Sequence, residues 1–300
     1  MSIAWVFPGQ GSQKVGMAEP VLTLPNAEER FALASHLLGR NLLAICRGET
    51  AGNGPSDLND TRNTQPALFT IASVLVDDLL QQGREPSFMA GHSLGELIAL
   101  YAAGVFQFET GLKLILRRSD LMAAAGGGAM SAVIGFNRSE LEELVAQSTD
   151  VVIANDNSSA QVVLSGTPDA VSSVTTRLRC KRVVPLAVSG AFHSPFMAEA
   201  ANIFGAELEQ TAFEDAKVPV LSNTDPTPSC DGAVLKKRLH DQMTTGVRWR
   251  EIMESLSREN VRTLVEIGPG NVLSGLAKRA MEGVNTSQIS SAGDLGHTDP

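Results

Sequence analysis

The chain has 300 residues, a formal net charge of −9, and an ordinary globular composition of 43% hydrophobic and 19% charged residues. That length holds one large domain or two modest ones, and the acidic balance argues against a global basic surface for nucleic acid. Three cysteines, Cys46, Cys180 and Cys230, show no C-x-x-C spacing and lie in no nucleophile motif, which argues against a disulfide framework or a zinc site. No apolar run is long enough to span a bilayer. Ser2 leads into an apolar strand rather than a signal peptide, so the expectation is a cytoplasmic protein without a membrane segment.

Residues 3–7 (Ile-Ala-Trp-Val-Phe) read as a buried strand ended by Pro8-Gly9. Helical patterns then dominate to about residue 83, among them 30–38 and 67–80, the second with Pro66 near its first turn. A strand end at 86–90 meets a helix over 96–103, and a further helix over 108–124 is closed by Gly126-Gly127-Gly128. The rhythm then changes. Strands at 129–135, 151–154, 161–165 and 182–186 interleave with helices at 138–146, capped by Asn137, and at 167–179. The order β-α-β-β-α-β is the ferredoxin-like pattern. The predicted fold is thus a hydrolase-like α/β body over 1–127 and 195–300, carrying an inserted subdomain over 128–194. In the resumed body, helices are expected at 195–209, 233–243, 249–257 and 271–281. Strands are expected at 218–221 and at 262–267, the latter ending at Gly268-Pro269-Gly270. The polar tail from Gly283 reads as loosely held.

Gly91-His92-Ser93-Leu94-Gly95 fits a nucleophile elbow, G-x-S-x-G, at the junction of strand and helix. Its glycines permit a tight turn that exposes a serine hydroxyl, and the amides at the helix start favour a developing oxyanion. Such a serine needs a base. Of the five histidines, His92 is adjacent to Ser93 and so points away from it. His36 sits on a helix surface and His297 in the tail. His193 follows a strand and the Ser189-Gly190 turn, where α/β folds place catalytic groups; on position alone His193 leads and His240 stays open. The segment Pro8-Gly9-Gln10-Gly11 is neither a P-loop nor a dinucleotide fingerprint.

Taken together, the chain resembles the malonyl-CoA:acyl carrier protein transacylase family nearly end to end. The resemblance rests on Pro8-Gly9-Gln10-Gly11-Ser12-Gln13, Thr64-Gln65-Pro66-Ala67-Leu68 and Gly91-His92-Ser93-Leu94-Gly95-Glu96. It continues through the Arg118 region, Gly190-Ala191-Phe192-His193-Ser194-Pro195 and Glu266-Ile267-Gly268-Pro269-Gly270. It implies an acyltransferase of fatty acid synthesis with Ser93 as the acylated nucleophile and His193 as base. It implies that Gln242 orients the imidazole through its backbone carbonyl, although helical pattern alone makes Gln242 a surface residue. Gln10 and Leu94 would supply backbone N–H groups to the oxyanion. Between Arg117 and Arg118 the sequence is ambiguous. Matching the family through Met122 selects Arg118 to hold the free carboxylate of malonate, for which a planar guanidinium suits better than lysine. Phe192, next to the base, would fill the space an α-methyl needs and so favour malonyl over methylmalonyl.

The implied partners are malonyl-CoA, a coenzyme A thioester used as substrate, and acyl carrier protein. The family carries no permanently bound cofactor or metal and is usually monomeric. Gln161 and Asn157 match positions near the cofactor arm, and Arg182 joins them through the basic cluster Arg177, Arg179, Lys181 and Arg182, which precedes His193. The runs Lys236-Lys237-Arg238 and Lys278-Arg279 are the other basic candidates. Competing readings are an ester or thioester hydrolase, a transacylase serving malonate decarboxylase or a polyketide pathway, and a carrier-binding module without catalysis. The first needs no Arg118, and the last predicts a broken set of residues.

Overall fold

The computed structural model describes residues 2–50, 56–188 and 190–296; Ser189 and His297 lie outside them. The chain opens with β1 (Ser2–Phe7), followed by α1 (Ala27–Leu38), α2 (Leu42–Cys46) and α3 (Thr61–Gln81). Next come β2 (Phe88–Gly91), α4 (Gly95–Ala102) and α5 (Phe108–Ala124). The segment β3 (Ala129–Phe136), α6 (Arg138–Ala146), β4 (Val151–Ser158), β5 (Gln161–Gly166), α7 (Pro168–Arg177) and β6 (Cys180–Pro185) follows. The chain continues through α8 (Ala198–Glu209), β7 (Val220–Leu221), α9 (Gly232–Asp241), α10 (Trp249–Arg258), β8 (Val261–Ile267), α11 (Val272–Ala280) and β9 (Asn285–Ile289).

Five strands form a parallel sheet in the order β7-β2-β1-β8-β9. Central strand β1 is apolar on both faces, as a parallel strand covered by helices must be. Trp5 and Phe7 join a core built with α3, α4 and α5, while Ala4 and Val6 join a second core with α10 and α11. The other four strands form an antiparallel sheet in the order β4-β5-β3-β6, the pairing of the β-α-β-β-α-β unit. One face of this sheet, with Val133, Val162 and Leu164, packs on its own helices through Leu141 and Val171. The alternate residues Met130, Ala132 and Val163 join the core of the body. The Asn137 side chain caps α6 as expected, accepting from the Glu140 N–H.

Three expectations are corrected. Helix α3 begins at Thr61, capped by the Asp60 side chain, so Pro66 lies inside it. The missing proline N–H leaves the Arg62 carbonyl without its intrahelical donor, and the Arg40 guanidinium donates to that oxygen instead, at 3.3 Å. The strand expected at 218–221 shrinks to Val220–Leu221, an edge strand. The segment just after Gly283 is not loose: Asn285–Ile289 pairs in parallel with β8, and Ile289 is buried. An edge strand needs only backbone partners and one inward apolar residue, which is why its polar composition hides it.

β1, β2 and α4 converge so closely that side chains are excluded. A methyl group at Gly91 would overlap the Gly95 carbonyl oxygen, and one at Gly95 would overlap that of Phe7. By contrast, a methyl at Gly126 meets nothing. Gly95→Ala is therefore expected to lose about 2 kcal/mol or more in denaturant unfolding, whereas Gly126→Ala stays within about 0.5 kcal/mol of the parent.

Candidate active site

Ser93 stands between β2 and α4 with a φ of 54°, in the left-handed region that non-glycine residues rarely occupy. Its backbone is held on both sides: its N–H donates to Asn223 Oδ1 at 2.7 Å, and its carbonyl accepts from Gln242 Nε2 at 3.0 Å. Asn223 in turn donates through Nδ2 to the Gly91 carbonyl at 2.6 Å. The hydroxyl faces His193, whose Nε2 lies 2.7 Å from Ser93 Oγ. On the other side of the ring, Nδ1 lies 2.9 Å from the Gln242 backbone carbonyl. A carbonyl only accepts, so Nδ1 carries the proton and Nε2 is left as the acceptor for the serine hydroxyl. His193 too has a positive φ, 55°.

Arg118, on α5, is only 1% exposed. Its Nη1 donates to Gln65 Oε1 at 2.6 Å, and its Nη2 donates to Ser93 Oγ at 3.1 Å and to Gln242 Oε1 at 3.0 Å. Among the described residues no carboxylate pairs with it directly, and its Nε has no partner. Arg117 points outward to Glu207 at 3.4 Å, whereas Arg118 lines the cavity beside Ser93. Burial pushes Arg118 down to about 10, still charged at neutral pH, with the negative charge of Glu96 opposing the fall. Burial first, and the Arg118 charge second, push His193 down to about 3, against the support of the Gln242 carbonyl. The imidazole is thus neutral and able to take a proton.

A cavity of about 100 Å³ opens over this group. Gln10, Leu94, Arg118, Met122 and Phe192 all line it beside Ser93 and His193, so the structure brings together the residues expected to act as nucleophile and base and the expected lining residues. The backbone N–H groups of Gln10 and Leu94 have no protein acceptor among the described residues. Gln242 does not lie on a surface; it is wholly buried at the end of α9. Asn157 is buried and does not line the cavity itself; its Oδ1 lies 2.8 Å from Nε2 of His92, which does. Asn155 takes the lining position, with a buried Oδ1 that has no partner among the described residues.

Gln161 and Arg182 both sit opposite Ile134 in the antiparallel sheet. By strand alternation they share a face with Met130 and Leu186, which line the cavity. They stand about 13 Å further along the strands, at roughly 3.3 Å per residue. His92 also lines the cavity, and its ring packs beside that of Trp249 at 5.6 Å. His240 bonds to Asp241 outside the cavity. Sequence reasoning missed Gln65, Asn155, Asn223 and Glu96. Glu96 is wholly buried; its Oε2 accepts from Asn223 N–H at 2.9 Å and from Gln242 Nε2 at 2.7 Å.

A neutral imidazole aligned on a strained serine, beside a buried arginine, is equipped for acyl transfer. The acyl transferase domain profile matches residues 4–299. The chain belongs to the acyl transferase domain family. It is 47% identical over 295 residues to a malonyl CoA-acyl carrier protein transacylase of Synechocystis sp., covering 98% of this chain and 99% of that one. The crystal structure of the Synechocystis sp. malonyl-CoA:ACP transacylase superposes with a TM-score of 0.94 at 46% identity, covering 99% of this chain and 100% of that one. A malonyl-transacylase structure solved with its type II polyketide acyl carrier protein matches with a TM-score of 0.90 at 36% identity, over 98% of each chain.

The neutral base of this acyl transferase has a measurable consequence. The unfolded chain binds the His193 proton near the ordinary imidazole value, about 6.5, and the folded chain only near 3. The unfolded state therefore holds more protons between these values, and the His193 contribution lowers stability as pH falls through that window. Ring-nitrogen NMR is expected to show His193 neutral and Nδ1-protonated throughout pH 5–8; titration near 6.5 would contradict the buried geometry.

Proposed function

We propose that this acyltransferase moves the malonyl group from malonyl-CoA to the phosphopantetheine thiol of an acyl carrier protein in fatty acid biosynthesis, through a malonyl ester on Ser93. The observation that carries the reading is Arg118: a buried guanidinium bonded to the nucleophile's own oxygen at 3.1 Å and free of any carboxylate among the described residues. An esterase has no need of a buried cation there, whereas a malonyl group brings a carboxylate to meet it.

In the first half-reaction, Ser93 Oγ attacks the thioester carbonyl as its proton passes to His193 Nε2. The oxyanion forms where the Gln10 and Leu94 amides have no other acceptor. The C–S bond breaks, and CoA leaves as a thiol with the proton from His193. In the second, His193 takes the carrier thiol's proton, the sulfur attacks the ester, and the proton returns to Ser93 as the C–O bond breaks. The Gln242 carbonyl steadies the imidazole without a full charge, enough for exchange between a thioester and a serine ester of similar energy. Phe192 and Met122 narrow the acyl site, and the ring of Phe192 disfavours a branched acyl group.

The division into a body over 1–127 and 195–300 and a subdomain over 128–194 sets the arm's path along the antiparallel sheet. On this reading Gln161 and Arg182 flank that path, and Asn155 faces it in place of Asn157. The cluster Arg177, Arg179, Lys181 and Arg182 supplies local positive charge for an acidic carrier. Its rival Lys236-Lys237-Arg238 is engaged with Thr211, Asp241 and Asp225. The proposed state is a cytoplasmic monomer without a permanently bound cofactor. The similarity to a polyketide transacylase favours a second carrier class with the same chemistry.

Intact mass after incubation with malonyl-CoA tests the reading. A malonyl adduct is expected on the parent and none on Ser93→Ala; an unmodified parent would rule out the ester route. Arg118→Ala is expected to lose malonyl loading by about a hundredfold or more, the cost of removing one partner of a buried charged contact, while acetyl loading falls far less. An unchanged malonyl-to-acetyl ratio would remove Arg118 from this role.

A further inference from the structure

The buried Glu96 has no part in the steps above, yet it touches both residues that grip Ser93. We propose that Glu96 is a positioning residue for acyl loading: its carboxylate sets the orientation of the Gln242 side-chain amide and the place of Asn223, and through them the strained Ser93 backbone and the Arg118 fork. This rests on the loading reaction proposed for Ser93.

A glutamine amide has two unlike ends, and here each meets a group that accepts only one of them. Glu96 Oε2, which also takes the Asn223 N–H, stands as an acceptor, and the guanidinium only donates. Gln242 accordingly gives Nε2 to Glu96 Oε2 at 2.7 Å and Oε1 to Arg118 Nη2 at 3.0 Å. A flipped amide would set donor against donor and acceptor against acceptor. The same Nε2 reaches the Ser93 carbonyl at 3.0 Å, so the carboxylate indirectly holds one side of the nucleophile. It holds the other side through Asn223, whose N–H it accepts at 2.9 Å and whose Oδ1 takes the Ser93 N–H at 2.7 Å.

The arrangement also answers a charge problem. Arg118 is buried and must keep its fork open for an incoming carboxylate. Glu96 supplies a compensating negative charge on the far side of a neutral amide, where it does not occupy that fork. Arg118 is the charged group that faces Glu96, and His193 and His92, both pushed down by burial, are the other ionisable groups at the elbow. Burial raises the Glu96 carboxyl above the ordinary range, while bonds to Asn223 and Gln242 resist the rise.

The test is Glu96→Gln, which keeps size and one acceptor oxygen but removes the charge. Malonyl-serine formation is followed by rapid quench and mass spectrometry across pH 4–8, together with thermal unfolding. The variant is expected to load about tenfold more slowly at neutral pH, as charge-assisted bonds become neutral ones. In the parent, loading should fall as acidification protonates Glu96, with the fold intact by near-UV circular dichroism. The variant should lack that acid limb, because His193 stays neutral across the range. A variant that loads like the parent, that keeps the same acid limb, or that loses only melting temperature would overturn the proposal. Should the variant fail to fold, a parent without an acid limb above pH 4 would overturn it equally. A parent that takes no malonyl adduct at any pH would instead defeat the loading reading, and the Glu96 role with it.

Discussion

The whole molecule is arranged around the close approach of three backbone segments: the end of β1, the end of β2 and the first turn of α4. The Phe7 carbonyl lies where a side chain at Gly95 would stand, and the Gly95 carbonyl where one at Gly91 would stand. Between them Ser93 adopts a left-handed conformation that costs of order 1–3 kcal/mol. That strain persists because the surroundings over-determine it. Two apolar cores fix the sheet from both faces, and side chains from two other segments hold the serine N–H and carbonyl. His193 is strained in the same sense. Two residues held in uncommon conformations thus meet at 2.7 Å, a contact that a relaxed loop would not keep.

What was legible in the sequence follows from how local each signal is. The elbow is written in five adjacent residues, and its flanks carry the strand and helix that make it. The ferredoxin-like unit is legible because its identity lies in the order of elements, and Asn137 marks a helix start with its own side chain. Signals that depend on distant partners were hidden. Arg117 and Arg118 are chemically alike, and their roughly 100° separation around a helix decides nothing until the packing of α5 is known. Gln242 ends an amphipathic helix and looks like surface, yet the elbow and Arg118 close over it. Glu96 looked like an ordinary acid in the first turn of a helix, where solvent and the helix dipole suffice to explain it. Nothing local says that it is wholly buried. Asn223 carried no signal because its partners lie about 130 positions away.

Among the described residues the partner of His193 Nδ1 is the Gln242 carbonyl rather than a triad carboxylate, and Arg118 offers a reason. In a serine hydrolase an aspartate stabilises the imidazolium formed as the nucleophile loses its proton. A carboxylate in that place here would stand within reach of the guanidinium and compete for the fork that an acyl carboxylate is proposed to use. The peptide carbonyl of Gln242 orients the ring without that competition. The cost is a weaker base, seen in the downward push on His193 from burial and from the Arg118 charge. Weakness of this kind is tolerable where the incoming group is a thiol and the outgoing ester is close to it in energy, and harmful where water must be activated to hydrolyse a stable bond. The same residues proposed to favour an anionic acyl group would therefore also disfavour hydrolysis. On the proposed function, a preference for a thiol over water would then come from the electrostatics of the site as well as from the narrowness of the cavity.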